Sequence, residues 1–393
     1  MMSAARLELR LAKDLRRSLL RGHPWIYDRA LEPARLEAGQ LVTVSDRGGP
    51  IALGFADPDS PIRVRVLSLD VRQGVGSAWA ADLAARAARL RLADPHLGGT
   101  DALRLVHGEG DSMPGLVIDL YSTTAVALTD GAGAAAFWSP RMSAVLDGAR
   151  GAGIAIDRVW LRSRRGPGRA IAGDDPPAHI AVREDGARFE VDVRHGQKTG
   201  LFLDQHENRR YLRHLAGGRR VLNLFGYTGG FSLHADIGGA AHITTVDQAR
   251  PAIDAAARNI AASGLDRRKH DLVCADAFAW LAEAAATGRR YEVVVCDPPS
   301  FAPSAQALDA ARASYRRLNA LAMSVVAPGG LLLTASCSSH MTPADLREAV
   351  AGAAVDAHRR VVVRGARGAA SDHPVLPGFP EGDYLKFLDV AVE

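Results

Sequence analysis

Short runs in which apolar and polar residues alternate open the chain. Leu41-Val-Thr-Val44 and Ile62-Arg-Val-Arg-Val-Leu67 repeat with period two between Gly and Pro signals. That is the pattern of half-buried strands, so residues 1 to about 72 predict a small β-rich module. From Ser77 to Ala93 the chain turns to an Ala/Arg/Leu composition that predicts a connecting helix. Between Leu103 and about Arg194 strand-like runs recur around a helical patch near Ala134 to Ala149, which predicts a second, mixed module. The basic loop Arg162-Ser-Arg-Arg-Gly-Pro-Gly-Arg169 interrupts it and reads either as a solvated surface feature or as a contact for RNA phosphate.

Beyond Arg219 strand and helix alternate strictly. Strands are predicted at Val221 to Leu224, Ile243 to Asp247, Asp271 to Cys274, Glu292 to Cys296, Leu331 to Ala335 and Arg360 to Arg364, with Ala-rich helical segments between most of them. This order predicts a doubly wound sheet. The run Tyr384 to Val392 comes after the preceding strand through a Pro/Gly loop with no helix, which predicts an antiparallel final pair.

The candidate chemistry lies at the ends of these strands. Asn223-Leu-Phe-Gly226-Tyr-Thr-Gly229-Gly230 forms a strand-to-helix turn rich in glycine, where a backbone without Cβ atoms can bend sharply and let a ligand approach. Its spacing is not Gly-x-Gly-x-x-Gly, and no Gly-Lys-Ser/Thr comes after it, so pyrophosphate and triphosphate ligands lose ground. Asp247 ends the second strand about 20 residues further on, where a carboxylate can accept from both ribose hydroxyls. Asp276, just past the third strand, is placed either to reach an adenine edge or to cap the next helix, with Ala277 and Phe278 able to pack nearby. Asp297-Pro298-Pro299-Ser300-Phe301 ends the fourth strand and Ser336-Cys337-Ser338 the fifth.

Composition narrows the classes. The 393 residues exceed what one core fills, so two or three domains are expected. The net charge of +4, dominated by arginine, permits a nucleic-acid partner. The three cysteines, Cys274, Cys296 and Cys337, include no Cys-x-x-Cys, so neither a disulfide framework nor a metal site is expected. Cys274 and Cys296, inside apolar strands, read as small buried hydrophobes. No apolar run approaches the length that spans a bilayer, and a soluble, cytoplasmic protein is expected.

From about Gln197 onward these residues resemble class I methyltransferases that use S-adenosylmethionine. The segment Gln197-Lys-Thr199-Gly200-Leu-Phe202-Leu-Asp204-Gln-His-Glu-Asn-Arg209 resembles the stretch preceding the fold in RNA methyltransferases of the RlmI and RlmK/RlmL types. The resemblance implies that Thr199, Gly200 and Phe202 line the methionine end, that Asp204 and Arg209 brace the loop, and that Asn223, Phe225, Gly226, Tyr227, Thr228, Gly229, Asp247, Gln248, Asp276, Ala277 and Asp297 hold the cofactor. Over its whole length the chain is similar to the RlmI type. Ser18-Leu-Leu-Arg-Gly22-His-Pro24-Trp25 resembles the opening of a PUA β-barrel, His107 to Leu116 the central α+β module, and Asp372-His373-Pro374 through Tyr384-Leu-Lys386 the closing signature.

The expected fold is therefore α/β: a PUA-like domain at 1–72, a linker helix and central α+β module at 73–196, and a Rossmann-like methyltransferase domain at 197–393. The resemblance implies 5-methylcytosine formation in large-subunit (23S) ribosomal RNA, naked or in an assembling particle, and leaves a homodimer open. Carbon 5 of cytosine is a poor nucleophile, and a thiolate added at carbon 6 activates it, which gives Cys337 its implied role. Asp297 would hold the flipped base, with Pro298, Pro299, Ser300 and Phe301 forming its wall. The alternatives are a nitrogen methyltransferase acting on guanine or adenine, and a non-catalytic RNA-binding assembly factor.

Overall fold

The computed structural model describes residues 6–163, 166–302 and 304–393. Of the basic loop expected at Arg162 to Arg169, Arg164 and Arg165 lie outside the described residues, as does the start of the chain through Ala5. The chain forms two compact units. One comprises the residues up to Ile180 with Asp192–Gly200 and Ser371–Gly382, the other Ala181–Val191, Leu201–Ala370 and Asp383–Glu393.

The first unit begins with strand β1 (Leu7–Arg10), helix α1 (Arg16–Leu20), β2 (Trp25–Tyr27), β3 (Leu41–Asp46), β4 (Gly49–Ala56) and β5 (Ile62–Ser68). These strands form one sheet in the order β1-β3-β4-β5-β2, antiparallel except for the parallel β1–β3 pair. The alternation in β3 points Val42 and Val44 into a core with Leu9, Leu19, Ile26 and Val64. From Ile51 to Ala56, β4 is buried on both faces. Its Ala52 and Ala56 join that core, while Leu53 and Phe55 enter a second one.

A second sheet shares this other core. Helix α2 (Ser77–Leu92), β6 (Ala102–His107), β7 (Leu116–Tyr121), β8 (Thr124–Thr129), α3 (Gly131–Trp138), α4 (Met142–Gly151), β9 (Arg158–Leu161) and β10 (Arg169–Ala172) build it, with its strands in the order β10-β9-β8-β7-β6. Leu105, Ile118, Ala127, Trp138, Val145 and Val159 pack in the same cluster as Leu53 and Phe55. Phe55 stacks on Phe137 with ring centroids 4.7 Å apart. The change of pattern near residue 72 therefore divides two sheets, while one of the two cores spans it.

The second unit opens with a hairpin, β11 (Ile180–Glu184) and β12 (Ala187–Val191). Asp185 and Gly186 make its two-residue turn with φ of 49° and 92°, the left-handed pair such turns need. The expectation that residues through 196 belong to the central module differs here. β12 packs on the helix Arg250–Ala262 of the second unit, and the backbone N–H of Glu190 donates to Asn259 Oδ1 at 2.8 Å.

Helix α5 (His206–Leu215) then leads into β13 (Arg220–Leu224), α6 (Gly230–Ile237), β14 (His242–Asp247), α7 (Arg250–Ala262), β15 (His270–Cys274), α8 (Ala277–Ala286), β16 (Tyr291–Cys296), α9 (Leu308–Val325), β17 (Val326–Ser336), α10 (Pro343–Asp356), β18 (Val361–Arg367) and β19 (Lys386–Val392). The sheet runs β15-β14-β13-β16-β17-β19-β18. Its first five strands are parallel, and β19 lies antiparallel between β17 and β18, so the final pair runs as the helix-free connection predicts.

Successive residues of each strand face opposite layers, which explains why these strands are apolar throughout. Val293 and Val295 pack with Leu212 of α5 and Phe231 of α6, whereas Val294 and Cys296 pack with Leu281, Leu318 and Leu346 of α8, α9 and α10. Cys296 is fully buried, and burial pushes its thiol far up, as expected of a small hydrophobe. Cys274 differs. It ends β15 half-buried, its Sγ 3.4 Å from the Gln248 carbonyl.

Candidate active site

Four parallel strands of the second unit, β15, β14, β13 and β16, deliver side chains to one carboxyl edge, as topology dictates for an open α/β sheet. The turn after β13 is held in an unusual conformation. Phe225 and Tyr227 have φ of 56° and 45°, and Gly229 caps α6 at 83°. Non-glycine residues in this region carry strain and need outside support. Asp247 supplies part of it: Oδ2 accepts from the Tyr227 N–H and Oδ1 from the Ala249 N–H, both at 2.9 Å. Each oxygen keeps a second lone pair, so the carboxylate that braces the turn can also accept from ribose hydroxyls.

The glycine at 226 answers a packing demand. A Cβ there would lie 2.4 Å from Thr245 Cγ2 and 3.1 Å from Asn223 Nδ2. Asn223 is buried, and its amide donates to Ser232 Oγ at 2.9 Å, next to Thr245 Oγ1. Its side chain thus anchors β13 to α6. Asn259 of α7 donates to the Thr228 carbonyl at 2.9 Å and fixes the turn's other side. Asp276 is exposed and caps α8 by accepting from the Ala279 N–H at 2.9 Å, with Ala277 buried behind it. Gln248 is exposed beside Asp247.

From Leu201 onward, the segment before α5 is braced by buried polar groups. Phe202 meets Tyr227 edge-on at 5.3 Å. Its carbonyl accepts from Arg209 at 2.8 Å, and Arg209 forms two 2.6 Å bonds with Glu184 of β11. Burial alone would raise the Glu184 pKa; Arg209 and the neighbouring His234 reverse this and hold the carboxyl well below its usual range. Burial lowers the His234 pKa. Asp204 is buried, and Tyr384 Oη donates to it at 2.6 Å. Thr199 and Gly200 belong to the first unit, where the buried Thr199 hydroxyl bonds to Asp119 and lies 2.9 Å from Tyr121 Oη.

Asp297, at the end of β16, is held by a group to which the motifs assign no role. Gln205 Nε2 donates to its Oδ2 at 2.9 Å, and Asn208 one turn along α5 donates to Gln205 Oε1 at 2.7 Å. Both lie inside the Gln197–Arg209 segment, and their spacing of three on a helix is the signal that could have found them.

Cys337 emerges from neighbouring β17 half-buried, its Sγ 4.0 Å from the Pro298 carbonyl. Ser338 beside it is a hub. Its hydroxyl lies 2.9 Å from Ser300 Oγ and 3.2 Å from Tyr315 Oη, while its carbonyl accepts from Lys386 at 2.6 Å. Pro298 is buried and Pro299 and Ser300 are exposed. Phe301 packs 4.9 Å from Tyr315.

The structure thus gathers Phe225–Gly229, Asp247, Asp276, Asp297 and Cys337 along one strand edge. A row of three carboxylates disfavours phosphates and suits a ligand that offers hydroxyl and amino donors and a cationic centre, so the residues fit S-adenosylmethionine. Fold and edge together define a class I methyltransferase. Residues 159–366 match the S-adenosylmethionine-dependent methyltransferase family, and residues 9–69 match the PUA-like domain. The chain belongs to the S-adenosylmethionine-dependent methyltransferase family.

It is 38% identical over 98% of its length to a Deinococcus radiodurans protein named Ribosomal RNA large subunit methyltransferase, covering 97% of that protein. Identity to Ribosomal RNA large subunit methyltransferase I of Photobacterium profundum is 36%, covering 96% of this chain and 97% of the relative. In fold it is similar to a Streptococcus mutans chain described as SAM-dependent methyltransferase, with TM-score 0.86, 22% identity, and coverage of 98% of this chain and 100% of that one. Another solved structure of this fold, determined in complex with SAH, gives TM-score 0.87 at 22% identity, covering 98% of this chain and all of the other. The resemblance to the RlmI type and the PUA-like start of the chain are borne out. Among the described residues no helix is long and apolar enough to cross a membrane.

Proposed function

We propose that this protein methylates carbon 5 of a cytosine in large-subunit ribosomal RNA, with Cys337 as the nucleophile. The single observation that carries the reading is the placement of Cys337 and Asp297 at the ends of adjacent parallel strands, paired as Cys296 with Thr334. The names of near-full-length relatives support ribosomal RNA as the substrate.

Residues of this chain make the covalent addition and hold the base. The Cys337 thiolate adds to carbon 6 of the flipped base, forming a carbon–sulfur bond and pushing electron density to carbon 5. Asp297, oriented by Gln205, holds the ring nitrogen and amino edge, and Pro298 to Phe301 shape the wall. When bound, the cofactor supplies an electrophilic methyl group, and Asp247, Asp276 and the Phe225–Gly229 turn hold its nucleoside. The carbon 5 proton then passes to water, and the electrons of that carbon–hydrogen bond re-form the ring double bond and expel the Cys337 thiolate from carbon 6. The PUA-like module and the mildly basic charge suit an RNA partner in the cytoplasm.

Comparing ribosomal RNA from cells with and without the gene tests this. After nuclease digestion, mass spectrometry should find one 5-methylcytosine missing from the large-subunit RNA of the deleted strain. Loss of a methylated guanine or adenine instead would establish the nitrogen methyltransferase reading, which the Asp-Pro-Pro-Ser-Phe sequence favours.

A further inference from the structure

Lys386 stands opposite Ser336 in the β19–β17 ladder, next to the point where Cys337 leaves the sheet. It is 5% exposed. Lysines are almost never this buried unless a partner holds them. Its Nζ donates to the Ser338 carbonyl at 2.6 Å and to the Tyr384 carbonyl at 2.7 Å. Two neutral carbonyls satisfy donors without supplying a counter-ion.

The groups that act on this ammonium come from each element packed against it. Burial lowers its pKa to about 8; Asp383 in the preceding loop, Cys337 after β17 and Asp345 on α10 each act the other way. Tyr315 of α9, which reaches the same turn through Ser338, also senses Cys337. Lysine and cysteine are thus electrostatically coupled, and the lysine is tied to the residue adjoining the thiol.

Resting on the reading of Cys337 as nucleophile, we propose that Lys386 is the positioning residue that clamps the Ser336–Ser338 turn and provides the counter-charge for the Cys337 thiolate. The thiol S–H bond breaks and its proton goes to solvent. The ammonium keeps all three of its own protons and stabilises the anion left on sulfur. A cation beside a thiol lowers the thiol pKa, and by reciprocity the thiolate raises that of the lysine.

The test uses the full-length protein and its intrinsic thiol reactivity. Iodoacetamide alkylation of Cys337, with peptide mass spectrometry over about pH 5.5 to 9.5, gives the thiol midpoint. In Lys386→Met the midpoint should rise by about one pH unit or more, while Lys386→Arg should stay nearer wild type. An unchanged midpoint in Lys386→Met, or an equal rise in Lys386→Arg, overturns the proposal. Calorimetry with S-adenosylmethionine checks that each variant is folded. Should Lys386→Met fail that check, acetic anhydride labelling of Lys386 serves instead: its midpoint should fall in Cys337→Ala relative to wild type, and no change overturns the coupling. These titrations do not depend on turnover. If Cys337→Ser methylates RNA at the wild-type rate, the nucleophile reading fails, whereas the Lys386 coupling stands or falls by the midpoints alone.

Discussion

Replacing Arg209 with methionine should expose the energetic centre of the cofactor-side brace. The substitution leaves Glu184, whose side chain is fully buried, without the two charged bonds of 2.6 Å it now receives. It also frees the Phe202 carbonyl that Arg209 holds at 2.8 Å. Breaking a buried pair by removing one partner costs about 3–5 kcal/mol. For a unit of roughly 200 residues, 1 kcal/mol shifts the midpoint by about 2–4 °C, so thermal unfolding should move down by about 6–20 °C.

Two controls isolate charge from packing. Glu184→Gln combined with Arg209→Met removes the orphaned charge and should recover part of the loss. In the single Arg209→Met variant, burial raises the Glu184 pKa with its largest opposing charge gone, leaving His234 and His206 to act against it. Its carboxyl can then take up a proton as pH falls, and the deficit against wild type should be smaller at pH 5 than at pH 8. Differential scanning calorimetry at both pH values measures all of this. A single variant as stable as wild type, or a double variant no better than the single, would refute the argument.

The site carries three further expected outcomes. Asp247→Ala should weaken S-adenosylmethionine binding about tenfold or more, since it removes a charged acceptor from both turn and ligand; unchanged affinity by calorimetry would remove the ribose assignment. Gln205→Leu should slow single-turnover methylation by about tenfold through loss of a hydrogen bond to the Asp297 carboxylate, and an unaltered rate would show that Asp297 is positioned otherwise. Gly226→Ala should displace the turn, because its Cβ meets Thr245 at 2.4 Å, lowering cofactor affinity and costing about 1–3 kcal/mol of stability; wild-type affinity and melting temperature would contradict this.

Much of this is legible in the sequence because its signals are local. Apolar runs bounded by glycine reveal the succession of strands from Val221 onward, and the missing helix before Tyr384 announces an antiparallel end. What escapes depends on contacts distant in the chain. Gly226 looks like a residue cleared for a ligand, yet its missing Cβ makes room for Thr245. Asn223 reads as a cofactor contact, and the bond its side-chain N–H donates to Ser232 is one no local pattern reveals. The pairing of Glu184 with Arg209 joins a hairpin to a helix 25 residues on, and no periodicity reveals it. Lys386 sits in the closing signature, but only the β17–β19 register brings it beside Cys337. The break near residue 72 marks a change of sheet while Phe55 and Phe137 share a common core.

The most direct measurement of the central claim uses substrate RNA carrying 5-fluorocytosine at the target. Fluorine cannot leave carbon 5 as a proton does, so the bond from Cys337 to carbon 6 should persist after methyl transfer. A protein–RNA adduct should survive denaturing electrophoresis and map by mass spectrometry to Cys337. Cys337→Ser should form no adduct and lose turnover while still binding S-adenosylmethionine, because a serine hydroxyl is far less ionised near neutral pH. Methylation of RNA by Cys337→Ser at close to the wild-type rate, with no adduct in either protein, would contradict the account.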